Sequence, residues 1–426
     1  MSAARKSYLK STALSIVLLA ASLIAAALAF LSVPNPAGPL LGALAAGAAT
    51  LSAVLVAACL VVLARYHGSL RGRRDLFLAL NASRDPDAIE HAPVRRRTRW
   101  RRWMARRTLG HDLIVGDLVE VRPWAEVRST LDAQGCLDGL PFMPEMLAMC
   151  GRRARVFRGM HRLFDYRKSR RMRHMQGSVL LVGTACDGAS HGGCEAACHT
   201  IWKADWLRRV EPDEAFATMP ASSGEPVAAD NTAVLEHGTR PPLYACQLTR
   251  LNTASQPLPK WSLVDIWRPL IAGNVAPAAF VTGWLTHFFN ELQHHRGGIG
   301  FPAFEPFRDT GHASPAIPLA PGDQVIVRSP GEIRATLDDR LIHRGLGFEP
   351  DMLKHCGRRH CVQSEIRMLI DIVSGEMRTM KTPAYLLRGV HFSGERQLFN
   401  VQYEPLFWRA LWLRRSQPGP VTDHVD

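Results

Sequence analysis

The chain has 426 residues, 47% of them hydrophobic, with 52 Lys and Arg against 38 Asp and Glu and a net charge of +14. That length and apolar share exclude both a single small module and a disordered polyelectrolyte, and the positive surplus points to an anionic partner. Nine cysteines, an odd number at irregular spacing, argue against a secreted disulfide framework and for free thiols with one metal site.

In chain order, two runs without charge come first, residues 11–33 and 39–64, separated by Pro34-Asn35-Pro36-Ala37-Gly38. Each exceeds the roughly 20 residues needed to cross a bilayer core, and the proline-rich link predicts a transmembrane α-hairpin anchor over 1–74. Arg5, Lys6 and Lys10 precede the hairpin, and Arg65, Arg71, Arg73 and Arg74 follow it. Basic flanks around an uncharged turn place both termini in the cytoplasm of a multi-pass protein, suited to a bacterial inner membrane. A cleaved signal peptide followed by a single span is the competing reading of the first run. The juxtamembrane segment 75–109 holds the basic run Arg95–Arg107 with Trp100 and Trp103. It suits anionic lipid headgroups better than nucleic acid, because it follows an anchor.

An internal repeat comes next. Gly116-Asp117-Leu118-Val119-Glu120-Val121-Arg122 returns 206 residues later as Gly322-Asp323-Gln324-Val325-Ile326-Val327-Arg328. The same offset relates Phe142 to Phe348, Met146 to Met352, Cys150-Gly151-Arg152-Arg153 to Cys356-Gly357-Arg358-Arg359, and Trp202 and Trp206 to Trp408 and Trp412. The chain therefore holds two copies of one domain, 110–212 and 316–418, followed by a tail, 419–426. Alternating apolar residues after each Gly-Asp predict short strands, a helix is expected from near Gly193 to Trp206, and the fold class is mainly β with some helix, two small SH3-like β-barrels. Between the copies, 213–315 is a linker with an amphipathic segment, Trp261–Phe289, expected to lie at a membrane interface rather than to cross.

The most concentrated chemistry is Cys186-Asp187-Gly188-Ala189-Ser190-His191-Gly192-Gly193-Cys194-Glu195-Ala196-Ala197-Cys198. Three thiols and an imidazole in one loop, Cys186, His191, Cys194 and Cys198, are a ligand set for zinc, with an iron–sulfur cluster as the alternative. A helix over 193–206 would put Cys194 and Cys198 on one face. In the second copy the four positions become Phe392, Gln397, Asn400 and Glu404, while the tryptophans persist. The tryptophans therefore read as structural and the cluster as a unit specific to the first copy. Cys150 persists as Cys356 and reads as a core thiol. His355, Cys356, His360 and Cys361 are adjacent pairs that should point apart on a strand. His199, His294 and His295 read as surface residues.

These features favour a membrane-anchored binding or assembly protein with a metal-stapled first copy, taking a protein or anionic polymer partner. A metal- or thiol-dependent enzyme, or a redox protein, using the same cluster is the alternative. No CxxC pair is present, and no phosphate loop or HExxH motif stands out to support it.

Overall fold

The computed structural model describes residues 99–165, 169, 171–210, 243–258, 263–298, 318–392, 394 and 405–416. The chain divides into two compact units, Met1–Asn81 with Val281–Phe307, and Ala82–Phe280 with Arg308–Asp426. Of the first unit, 281–298 are described, most of them in the helix Pro277–His295. Both copies of the repeat belong to the second unit.

The first copy carries β1 (Leu118–Val121), β2 (Cys136–Leu137), β3 (Leu140–Pro141), β4 (Arg153–Gly159), β5 (Leu163–Phe164), β6 (Met172–His174), β7 (Ser178–Ala185), β8 (His199–Lys203) and β9 (Leu207–Arg209), and β10 (Gln256–Pro257) follows it. The second copy carries β11 (Gln324–Val327), β12 (Ile342–His343), β13 (Leu346–Gly347), β14 (Arg359–Ile370), β15 (Met377–His391), β16 (Pro405–Trp408) and β17 (Leu413–Arg415). Each copy builds a five-stranded sheet, in the order β8-β7-β4-β1-β9 and β16-β15-β14-β11-β17. The register repeats as well. Leu118 pairs with Arg155 and Gln324 with Cys361, while Val119 pairs with Arg209 and Val325 with Arg415.

The Gly-Asp motif closes the turn that enters each sheet. Gly116 and Gly322 take φ of +87° and +92°, a region that favours glycine. The Asp117 carboxylate accepts the Ile114 N–H at 3.2 Å, and the Asp323 carboxylate accepts the Ala320 N–H at 2.9 Å. The sheets then alternate in burial, so that Val119, Val121, Val325 and Val327 are fully buried. The four repeat tryptophans, Trp202, Trp206, Trp408 and Trp412, are each 0% exposed. Phe142 meets Trp202 and Trp206 edge-on at 6.1 and 5.1 Å, and Phe348 meets Trp408 and Trp412 at 6.2 and 5.3 Å. Trp206 Nε1 donates to Thr130 Oγ1 at 3.0 Å, and Trp412 Nε1 donates to Thr336 Oγ1 at 2.9 Å. The pairs differ at one point. Trp202 Nε1 donates to Thr200 Oγ1 at 2.9 Å, whereas Leu406 stands at the equivalent place and Trp408 Nε1 is buried with no acceptor among the described residues.

Three expectations are corrected. Mainly β with some helix stands, but the transmembrane hairpin is not supported. Among the described residues no helix is long and apolar enough to cross a membrane, and 11–33 and 39–64 lie outside those residues. The longest described helix, Pro277–His295, has 19 residues but carries Thr286, His287, Asn290, Glu291, Gln293, His294 and His295, groups costly to strip of water in hydrocarbon. The expected bacterial inner membrane and the multi-pass placement with cytoplasmic termini are corrected with the hairpin. Second, Trp261–Phe289 is not one interfacial helix. Its described part forms two helices, Leu263–Ile271 and Pro277–His295, broken where Gly273 takes φ of +80°. Third, no helix runs from Gly193 to Trp206. That stretch is a loop, then β8, then a 3₁₀ turn, Ala204–Trp206.

Part of the basic run is committed inside the protein. The helix Arg99–Leu109 directs Arg102 to Asp117 at 3.1 Å and Arg106 to Asp112 at 3.0 Å. Arg107 lies over the exposed Trp103 ring at 5.6 Å.

Candidate metal centre

The loop between β7 and β8 is shaped by glycine. Gly188, Gly192 and Gly193 all take φ between +72° and +77°. A Cβ on Gly188 would fall 2.0 Å from the Cys194 carbonyl oxygen, and one on Gly192 would fall 2.7 Å from the Tyr244 ring. Close approach of backbone to backbone and to an aromatic ring therefore requires both. His191 N–H and Gly193 N–H both donate to Gly188 O, at 3.1 and 2.9 Å, and Cys186 N–H donates to Cys198 O at 2.7 Å. The last bond closes the loop on itself, with Cys186 and Cys198 at its two ends.

Inside this loop Cys186 Sγ and His191 Nε2 lie 3.2 Å apart. Gly188 N–H donates to the Cys186 sulfur at 3.3 Å. Ser190 Oγ donates to Glu145 Oε2 at 2.7 Å and stands 2.9 Å from His191 Nδ1. With its own proton given to Glu145, the serine oxygen accepts from Nδ1–H, and the Nε2 lone pair is left facing Cys186. Glu145, Cys186 and His191 place one donor atom each within 4.8 Å of one another and form a group that could hold a metal ion. Glu145 Oε1 is buried without a hydrogen-bond partner among the described residues. Burial, reinforced by the Glu145 charge, raises the Cys186 thiol far above its ordinary value. Burial lowers the His191 imidazole, against the pull of Glu145 and Asp187. Burial thus disfavours the charged form of both groups.

Cys194 and Cys198 do not share a helix face. Ala197, at φ +49°, turns the chain between them. Both line the same small, partly open cavity of about 50 Å³ as Glu145, Cys186 and His191, together with Cys246 and Ile370. Cys194 is 7% exposed, and its sulfur accepts the Ile370 N–H at 3.4 Å from the end of β14. The neighbouring Glu195 carboxylate accepts the Arg367 and Met368 N–H groups, and Glu195 N–H donates to Met368 O at 3.0 Å. The loop 186–198 of the first copy is therefore strapped along a strand of the second.

Glu145 and Cys246 lie outside the loop that sequence spacing marks. Glu145 stands in the 3₁₀ turn Pro144–Met149, and its counterpart Asp351 pairs with Lys354 at 3.7 Å. In the second copy the cluster positions 397, 400 and 404 lie outside the described residues, as do the expected tail 419–426 and residues 213–242, 259–262 and 299–315 of the linker. Cys150 packs against the core with its thiol pushed up to about 11 by burial, and Cys356 is 0% exposed. The His355 and His360 rings, one from each adjacent pair, meet at 5.1 Å. His199 is half-buried rather than at the surface, with its ring 5.5 Å from His391, and burial lowers it to about 4.

No protein-family model matches the chain, and no curated protein is similar to it.

Proposed function

We propose that this protein is a non-enzymatic binding or assembly protein in which a zinc ion, held by Cys186 and His191 with Cys194 and Cys198, fixes one sheet against the other. The observation that carries the reading is the convergence of Glu145, Cys186 and His191 within 4.8 Å in a cavity lined by further thiols. Thiolate with imidazole is the donor set of closed, four-coordinate zinc sites, whereas an iron–sulfur cluster is held mainly by cysteine alone. The cavity's roughly 50 Å³ accommodates an ion and a few waters, while small-molecule sites span about 300–1,000 Å³. A thiol-enzyme reading needs a lowered thiol, and Cys186 is raised. The fixed pair of sheets would present a composite surface, and the net charge of +14 suits an acidic protein or an anionic polymer.

The test is metal analysis of the purified full chain beside Cys186→Ser and His191→Ala. One zinc per chain, lost in both variants, is expected. At free zinc a thousandfold above Kd the ion adds about 4 kcal/mol of stability, so chelation should lower the melting temperature measurably. A wild-type chain that takes up no metal, or variants that keep it, would overturn the reading.

A further inference from the structure

The two sheets differ in charge along one cross-strand row. In the first copy Glu120 of β1 stands in register opposite Arg153 of β4 and Arg208 of β9. Its Oε2 serves both arginines, with Arg153 Nε at 3.6 Å and Arg208 Nη2 at 3.0 Å. The repeat carries this row to Ile326 of β11, opposite Arg359 of β14 and Arg414 of β17. Both arginines stay, and the acid between them is gone. Directly opposed residues of antiparallel strands share a face. Val325 and Val327 are fully buried, so alternation puts Ile326 and its two neighbours on the solvent side. Ile326 is half-buried there, and Arg359 and Arg414 are exposed. Neither guanidinium has an ion pair or hydrogen bond among the described residues. Other arginines of this sheet do find acids: Arg415 meets Asp323 at 3.0 Å and Arg328 meets Glu332 at 3.3 Å.

The geometry points to a docking surface at Ile326, Arg359 and Arg414 for an acidic segment of a partner protein, whose Asp or Glu carboxylate takes the place that Glu120 fills in the first copy. Two strand spacings put the arginine Cα atoms about 9.5 Å apart. Two long side chains converge on one carboxylate across that span, as Arg153 and Arg208 do on Glu120. The side-chain methylenes of the incoming acid would rest on Ile326. A carboxylate suits the row better than a nucleic acid, because the first copy supplies the template for it. Single-strand binding also pairs basic groups with aromatic stacking platforms, and this row carries an aliphatic residue between its arginines. The inference deepens the acidic-partner part of the binding reading above and rests on it, but not on the metal.

The experiment titrates fluorescein-labelled hexaglutamate into the full chain at about 0.15 M salt, where distant surface charges are screened. Wild type is compared with Ile326→Glu, Glu120→Ile and Gln134→Glu, each checked for folding by circular dichroism. Ile326→Glu installs the carboxylate of the first copy, so it should weaken the peptide by about fivefold, the worth of two exposed ion pairs. Gln134 is exposed in the first copy; its change to Glu makes the same charge change away from the row and should match wild type. Glu120→Ile frees Arg153 and Arg208 and should raise the number of peptides bound by one. Should Glu120→Ile not fold, the double variant Arg359→Gln with Arg414→Gln replaces it, and the same fivefold loss is expected. A wild type that does not bind the peptide, or equal affinity in wild type and Ile326→Glu, overturns the inference. An oligodeoxythymidine of equal charge that binds more tightly and is weakened by Ile326→Glu overturns the choice of partner in favour of nucleic acid. Zinc measured on the same samples separates the two readings: peptide effects without zinc sink the metal alone, and zinc without peptide effects sinks this inference alone.

Discussion

Gly188 and Gly193 separate two ways in which a side chain can damage the same loop. Both take a left-handed backbone, at φ +72° and +77°, and an L-residue there costs about 1–2 kcal/mol. They differ in space. A Cβ on Gly193 meets nothing within 4 Å, whereas one on Gly188 falls 2.0 Å from Cys194 O and 2.6 Å from Cys194 N. Backbone atoms cannot swing aside as a flexible side chain does, so the Cys194 segment must leave. Gly193→Ala should therefore weaken zinc by about 5–30-fold, the equivalent of the φ cost alone at 1.4 kcal/mol per decade. Gly188→Ala should remove the site, since it displaces Cys194 and disturbs the N–H that Gly188 gives to Cys186. Chelator competition at fixed pH, with circular dichroism to confirm that both variants fold, measures the difference. Equal affinities for the two alanine variants would refute the claim that the loop positions the ligands by close packing against Cys194.

Other consequences follow from the same geometry. His360 is lowered to about 4 and His391 to about 3, both first by burial and then by neighbouring basic groups, Arg358 for His360, and the His199 imidazole, Arg158 and Lys354 for His391. In the unfolded chain these groups titrate near 6.5, so the unfolded state binds more protons between that pH and the folded values. Stability is full above about pH 6.5 and falls as pH drops through this window, by up to about 1.4 kcal/mol per pH unit for each histidine. Urea unfolding from pH 7 to 4.5 should show a shallower loss for His391→Phe than for wild type; identical slopes would count against the neutral buried state. Trp206→Phe and Trp412→Phe each remove a bond to a threonine hydroxyl worth about 1 kcal/mol, plus the cost of a cavity. Denaturant midpoints should shift by similar amounts, and a large asymmetry would contradict the equivalence of the two sites. Glu195→Ala removes the carboxylate that receives two N–H groups of β14, at about 1.5–3 kcal/mol for each bond to a charged group. Faster hydrogen exchange at Arg367 and Met368 is expected, and unchanged exchange would argue against the strap.

The repeat was legible because its spacing survives in three dimensions: the offset in sequence is the offset in strand register, from Leu118–Arg155 to Gln324–Cys361. The helix expected over 193–206 was misread from a series of four-residue steps, Cys194, Cys198, Trp202 and Trp206. A loop, a strand and a 3₁₀ turn satisfy the same spacing, since Trp202 lies in β8 and Trp206 in the turn. Thr200 and Ile201, β-branched neighbours, were the local signal for a strand. Cys186 and His191 were legible because a short glycine loop leaves little choice but proximity. Glu145 and Cys246 were not, because only the packed fold brings a 3₁₀ turn 41 residues upstream of Cys186 and an inter-copy segment to the same cavity. The expected hairpin rested on the uncharged runs 11–33 and 39–64, and nothing in the described helices matches their apolar length.

X-ray absorption at the zinc edge of the loaded full chain tests the central claim most directly. A closed thiolate–imidazole site requires scattering from sulfur at about 2.3 Å and from nitrogen at about 2.0–2.1 Å, in four-coordinate geometry. Sulfur-dominated scattering, lost in Cys186→Ser, is the result expected. A shell of oxygen and nitrogen alone, with water filling the remaining positions, would show that the ion does not sit among these cysteines and would contradict the account.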